Sequence, residues 1–264
     1  MPLRDTRLRA CPERTASPVR FGILPGRLPD NETGDMNVDL NCDMGELEDA
    51  ALEAELMCWT RSANIACGGH AGDDASMERT VRLALGHGVR IGAHPGYPDR
   101  AHFGRVEMVM TAEAIAEMVY RQIRRLEGTV GRLGGEIVHV KPHGALYLAA
   151  TRDPAVARAI GMGVARWKPC AAVFGLAGSP ALEVWRGMGL NAVPEAFADR
   201  RYAPDGTLCS RSLPGALITD PRAAAAQAVR LAREGNARTI CVHGDTPRAV
   251  EILKACSEAL LYEA

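Results

Sequence analysis

Acids, imidazoles and one ammonium recur in this chain where predicted strands run out. The stretches are DLNCDMGE (39–46), NIACGGHAGD (64–73), GAHPGYPDR (92–100), HVKPHGALY (139–147), GLAGS (175–179), EAFADR (195–200) and VHGD (242–245). Each follows a short apolar or β-branched run, and most precede a helix-like stretch. Polar groups gathered at the carboxyl ends of successive strands are how α/β barrels build an active site.

The first cluster holds Asp39, Asn41, Asp43 and Glu46. Carboxyl groups this close cost energy unless they bind a cation, share protons or accept hydrogen bonds. Asp43 stands at the strand end and is the first candidate for a general base. Glu46 is expected to be structural, because the N-terminus of the next helix favours an anion there. His70, His94 and His143 come from three different strand ends and join Asp43 as catalytic candidates. His139 and Lys141 share one strand face by alternation, so Lys141 enters the interior. A buried lysine needs an acidic partner or a depressed pKa, and Asp43 and Asp39 are the candidate partners. The plainer reading of Lys141 is a core ion pair.

Arg200 and Arg211, with Asp199 and Ser212 beside them, suit a clamp for a small carboxylate, since arginine binds carboxylates in bidentate fashion. The plainer reading is a loop salt bridge. Asn41, Asn64 and Asp245 complete the substrate-binding candidates, although Asp245 also lies near the start of the final helix. Asp and His at the mouth leave a divalent metal open, yet no HExxH or similar signature assigns one. There is no GxxxxGK[ST] loop, no GxGxxG after a strand and no GxSxG elbow. Of the 8 cysteines, Cys42, Cys67 and Cys241 read as small buried hydrophobes, and Cys67 is the one to test as a nucleophile.

The elements that must position these groups alternate strand and helix from Met36 onward. NVDLNCD (37–43) sets Val38, Leu40 and Cys42 on one face and its polar residues on the other. Strands follow at 62–67, 89–94, 136–141, 171–177, 191–198 and 238–244. Helices are expected over 47–60, from an Asp73 or Asp74 cap to Leu85, and from Thr111 past Arg125. Four more are signalled by cap–proline pairs, Asp153-Pro154, Ser179-Pro180, Asp220-Pro221 and Thr246-Pro247. Seven β-α units with polar residues at every strand end point to a closed barrel, rather than an open sheet with one switch point. The loops 96–110 and 199–216 begin at the expected mouth and are lid candidates.

Composition agrees with one large domain. Hydrophobic residues make up 47% and charged residues 24% of 264, and the formal net charge is -1. Nothing in that balance calls for nucleic acid or a membrane. Residues 1–35, Arg-rich and aperiodic, read as a disordered leader or an upstream mis-start, with 36–264 as a single barrel domain in the cytoplasm.

Taken in order, DLNCDMGE, ANIACGGHAGD, GAHPGYPDR with FGR (103–105), HVKPHGALY, FADR and the last HGD resemble the LamB/YcsF family. The resemblance runs from Met36 nearly to the C-terminus. It implies a seven-stranded, TIM-like (β/α)7 barrel of the glycoside hydrolase/deacetylase type. It also implies ATP-dependent 5-oxoprolinase activity, opening 5-oxo-L-proline to L-glutamate, with this chain as the A component beside companion subunits B and C. Nucleotide would then be held by the complex. The family motifs fall here on Asp43, His70, His94, Lys141, His143 and Asp245. Leu148 stands where a polar residue is common after ALY. Two other readings are a metal-dependent deacylase on the same barrel and a non-catalytic subunit that binds a small carboxylate.

Overall fold

The computed structural model describes residues 38–262; the expected leader and the Met36 start lie outside the described residues. Seven parallel strands close into a barrel in chain order. They are β1 (Asp39–Met44), β2 (Ser62–Ala66), β3 (Arg90–His94), β4 (Ile137–Val140), β5 (Ala172–Leu176), β6 (Asn191–Phe197) and β7 (Thr239–Cys241). β7 returns to β1, with Asn41 opposite Cys241, so the sheet has no open edge. The helices are α1 (Ala50–Met57), α2 (Asp74–His87), α3 (Ala112–Arg132), α4 (Gly144–Arg152), α5 (Pro154–Trp167), α6 (Pro180–Gly187), α7 (Pro221–Arg233) and α8 (Ala249–Tyr262). None is long and apolar enough to cross a membrane.

Alternation on β1 decides what goes where. Leu40, Cys42 and Met44 pack into the apolar layer under the helices. Asp39, Asn41 and Asp43 face the barrel axis and meet side chains from other strands. The interior is therefore polar and stacked in levels. Asp39 is at the bottom, where its carboxylate meets Arg90 at 2.5 Å and accepts from Ser62 and Thr239. Asn41, Asn64, His139 and Glu195 form the middle. Asp43, Lys141 and His94 lie at the top, where the strands end. Burying so many polar groups is tolerable only because each finds partners.

Local signals set most helix ends. The Asp73 carboxylate accepts from Ser76 N, and Gly88 ends α2 in the left-handed region at φ 66°. Thr111, Asp153 and Asp220 cap α3, α5 and α7. Ser179 precedes α6 at its cap position but makes no side-chain cap bond.

Thr246-Pro247 departs from the expectation. Helix α8 begins only at Ala249: Arg248 stands in the left-handed region at φ 65°, and the Thr246 hydroxyl is turned inward to the buried Asp199 carboxylate at 2.5 Å. The same carboxylate takes His243 N, which ends β7 earlier than the sequence pattern suggests. Helix α4 was not anticipated; it starts within the HVKPHGALY cluster, with His143 at its cap position.

The two expected lids are tied down. In the first, the Gly104 carbonyl accepts from Ala145 N at the start of α4. Gly104 has φ 64°, and a Cβ there would stand 2.6 Å from the Cβ of His70, so the loop lies against the site histidines. The second folds back on itself through bridges between Arg200 and Leu217 and between Tyr202 and Leu208.

Gly92 on β3 shows how tightly the interior is filled. A Cβ there would meet His139 Nε2 at 2.0 Å. That ring is held by Asn64 at 2.8 Å and is stacked on Phe174. Gly92→Ala is expected to lower stability by about 1–3 kcal/mol, seen as a lower urea midpoint at unchanged slope. An unchanged midpoint would mean that His139 can leave its place freely.

Candidate active site

Lys141 comes up from β4 into the top level of the barrel. Its Nζ lies 2.9 Å from Asp43 Oδ1, 3.0 Å from Glu195 Oε1, 3.2 Å from Asn41 Oδ1 and 3.0 Å from Cys241 Sγ. Burial by itself would lower the lysine pKa, but the Asp43 carboxylate outweighs it and holds the ammonium well above its ordinary value. Lys141 is thus a fixed cation and donor. Of the two expected acidic partners Asp43 is correct, while Asp39 sits lower on the axis with Arg90. The second partner is Glu195. It heads the EAFADR cluster and faces inward by alternation, which was the available signal.

Asp43 is held from two sides. Lys141 Nζ and Asn64 Nδ2, each within 2.9 Å, bind Oδ1, while Oδ2 lies 3.4 Å from His94 Nε2. Burial would raise this carboxyl, yet the charges of His94 and Lys141 carry it well below the carboxylate range. Asn64 also donates to Asn41 Oδ1 at 2.8 Å, and Asn41 donates to Glu195 at 2.9 Å and Thr239 at 2.7 Å. Both asparagines are fully buried beneath the cavity, and they orient the charged groups above them. His139 likewise belongs to this floor, where burial keeps its pKa well below the ordinary value.

The three remaining histidines converge on a residue expected to be structural. Glu46 Oε1 lies 2.8 Å from His70 Nε2, 3.2 Å from His143 Nδ1 and 3.5 Å from His94 Nε2. The helix end that Glu46 was expected to serve is capped instead by Asp49, which accepts from Ala51 N and Leu52 N. Burial would raise the Glu46 carboxyl, but His143 outweighs it and the net shift is strongly downward. His70 stacks on His143 with centroids 3.6 Å apart, and burial pushes its pKa down to about 4. Burial alone would lower His94 too, but Asp43 reverses the direction and raises it. Glu46, His70, His94 and His143 each offer a donor atom within 4.8 Å of the others, as do Asp43, Cys241 and His243. These are the groups that could hold a metal.

Above this base opens a cavity of about 430 Å³, with Asp43, His94, Lys141 and His143 at its bottom and Arg200 and Arg211 on its wall. Leu148 adds an apolar patch. Two larger hollows, about 590 and 620 Å³, open elsewhere and touch none of these groups, so chemistry rather than size places the site. Asp245 does not line the cavity. It pairs with Arg105 and lies 2.9 Å from Arg211, anchoring the rim. With Arg200 on the same wall, three arginines stand against this one rim carboxylate, and the surplus positive charge suits an anionic substrate. Arg200 donates to the Cys209 carbonyl at 2.6 Å, and its Nε is buried without a hydrogen-bond partner. Asp199 pairs with His243 at 3.0 Å and not with Arg200. Cys67 is buried, and burial pushes its thiol up to about 12, which removes it as a nucleophile near neutral pH.

The LamB/YcsF family model matches residues 38–264. The chain belongs to the LamB/YcsF family. A LamB/YcsF relative from Heliobacterium modesticaldum, named as the A component of 5-oxoprolinase, is 43% identical over 240 residues, covering 85% of this chain and 94% of that protein. One of the same name from Pyrococcus furiosus is 45% identical over 232 residues, covering 82% and 91%. Among solved structures, a lactam utilization protein from Thermus thermophilus superposes with a TM-score of 0.80 at 40% identity, covering 86% of this chain and 96% of that one.

Asp199 links the site wall to stability. Although burial opposes ionisation, His243 and Thr246 lower its pKa from 3.8 to about 2. A carboxyl lowered on folding contributes stability above its unfolded pKa, and loses it as pH falls through the folded value. The stability gap between wild type and Asp199→Asn should therefore shrink by about 2 kcal/mol as pH falls from about 5 toward 2. Denaturant titrations across that range measure it; a gap independent of pH would show that Asp199 is not so perturbed.

Proposed function

We propose that this chain is the A component of an ATP-dependent 5-oxoprolinase. It opens 5-oxo-L-proline hydrolytically to L-glutamate, working with companion subunits B and C. The observation that carries this reading is one cavity with an arginine-lined wall above an ionised Asp43 that Lys141 holds in place. The names of the 43% and 45% identical relatives support the choice of substrate.

A five-membered lactam is an unstrained amide, and water attacks it slowly. Phosphorylation of the lactam oxygen, with ATP held by the partner subunits, makes the ring carbon electrophilic. Arg200 and Arg211 receive the substrate carboxylate. Water adds to the activated carbon while Asp43 Oδ2, the oxygen not held by Lys141, takes its proton. Lys141 faces the negative charge that develops on oxygen. Collapse breaks the ring C–N bond, the nitrogen gains a proton and an acyl phosphate of glutamate remains. A second water hydrolyses that acyl–phosphate bond, and glutamate and phosphate leave. ATP use places this work in the cytoplasm.

The test is glutamate release from 5-oxoproline with ATP and the partner subunits. Asp43→Asn and Lys141→Met should each lower turnover at least about 100-fold per folded molecule, with circular dichroism and a denaturant titration measuring the folded fraction, which the loss of the buried ammonium lowers in Lys141→Met. Normal release by both variants would leave this chain as a carrier of small carboxylates. Release that needs no ATP in the wild type would remove the phosphorylation step.

A further inference from the structure

His94 Nδ1 lies 2.7 Å from the carbonyl oxygen of Lys141, and His143 Nε2 lies 2.8 Å from that of Phe103. A carbonyl only accepts, so these two nitrogens carry the ring protons. In neutral rings the opposite nitrogens, His94 Nε2 and His143 Nδ1, then present lone pairs. These atoms face each other 3.0 Å apart. Glu46 Oε1, a third acceptor, lies 3.5 Å from the first and 3.2 Å from the second. Three acceptors in one small triangle repel unless a metal ion or a shared proton joins them.

We propose that Glu46, His94 and His143 form a binding face for one divalent first-row transition ion, zinc before others, open toward the cavity. The edges of the triangle are 3.0, 3.2 and 3.5 Å. Donors around a tetrahedral ion with bonds of about 2.0–2.1 Å stand about 3.3–3.4 Å apart, so the triangle already has the needed size. Two imidazoles and a carboxylate suit zinc, iron or cobalt better than calcium or magnesium.

The surroundings have the form that metal sites need. Both imidazoles are oriented by backbone carbonyls through the nitrogen away from the face, which sets the tautomer. His70 acts as a positioning residue: its Nε2 donates to Glu46 at 2.8 Å, and it stacks on His143. Charge points the same way. Asp43 and Glu195 flank a single ammonium, Lys141, and Glu46 adds a third carboxylate beside the imidazoles, all with at most 7% side-chain exposure. A divalent ion offsets that excess, which is costly in a buried site. Asp43 Oδ2, the proposed base, lies 3.4 Å from His94 Nε2, beside this face. The ligands come from three separate strand ends, so no local spacing motif announces them.

The site is read without substrate or partner subunits, so it fails or stands separately from the proposed activity. The full chain is stripped with chelator and titrated with Zn²⁺, and separately with Co²⁺, whose visible absorption reports nitrogen and oxygen ligands. Wild type should bind about one equivalent, with Glu46→Gln and His94→Ala weaker by at least about 100-fold and His70→Ala by about 10–100-fold. Glu46→Gln keeps the shape of the side chain, and circular dichroism shows whether each variant is folded. Wild type that takes up less than about a tenth of an equivalent would overturn the proposal. So would a Glu46→Gln variant binding as wild type does. The face would then be held together by shared protons.

Discussion

A buried ammonium between two carboxylates is the interaction on which the interior depends. Lys141 touches Asp43 and Glu195 at 2.9 and 3.0 Å, and all three are almost wholly removed from water. Removing one charge from such a set leaves the others uncompensated in a medium that solvates them poorly. The asparagines below therefore matter as much as the charges: Asn41 and Asn64 join Asp43, Glu195 and Lys141 into one continuous network. A network in which every member has partners holds its geometry before substrate arrives, which is what electrostatic catalysis asks of a site.

Barrel closure makes this network possible. With β7 paired to β1, seven strands direct alternate residues at one axis. An apolar core is built elsewhere, between the outer face of the strands and the helices. The two roles are separated on each strand by the two-residue period. Gly92 marks the cost of that crowding: the position facing His139 has no room for a methyl group.

The charge distribution along the axis also has a direction. The base carries Asp43, Glu46 and Glu195 against Lys141, and the mouth carries Arg105, Arg200 and Arg211 around Asp245. An anion is drawn by the rim, while its reacting end meets a floor of carboxylates held ionised by Lys141 and the imidazoles. Asp199 stands beside this path, fixed by His243 and Thr246, and it ties down the connection between β7 and α8.

Much of this was legible in the residues alone. Period-two alternation on β1, the cap–proline pairs before α5, α6 and α7, and polar residues at every strand end are local signals, decided by backbone geometry within a few residues. They implied the closed barrel and brought Asp43, His70, His94, Lys141 and His143 to one end of it. What the tertiary structure decided was which groups touch. Asp39 and Asp43 have the same type and face, but their heights along the axis depend on register with β2, β3 and β7, so only Asp43 reaches Lys141. Glu46 left its expected helix end because three imidazoles from distant strands offered a better place, and Thr246 left its cap for Asp199. Sequence settles what one strand or turn can do by itself; pairing between charges dozens of residues apart is settled by closure of the sheet, which no local pattern encodes.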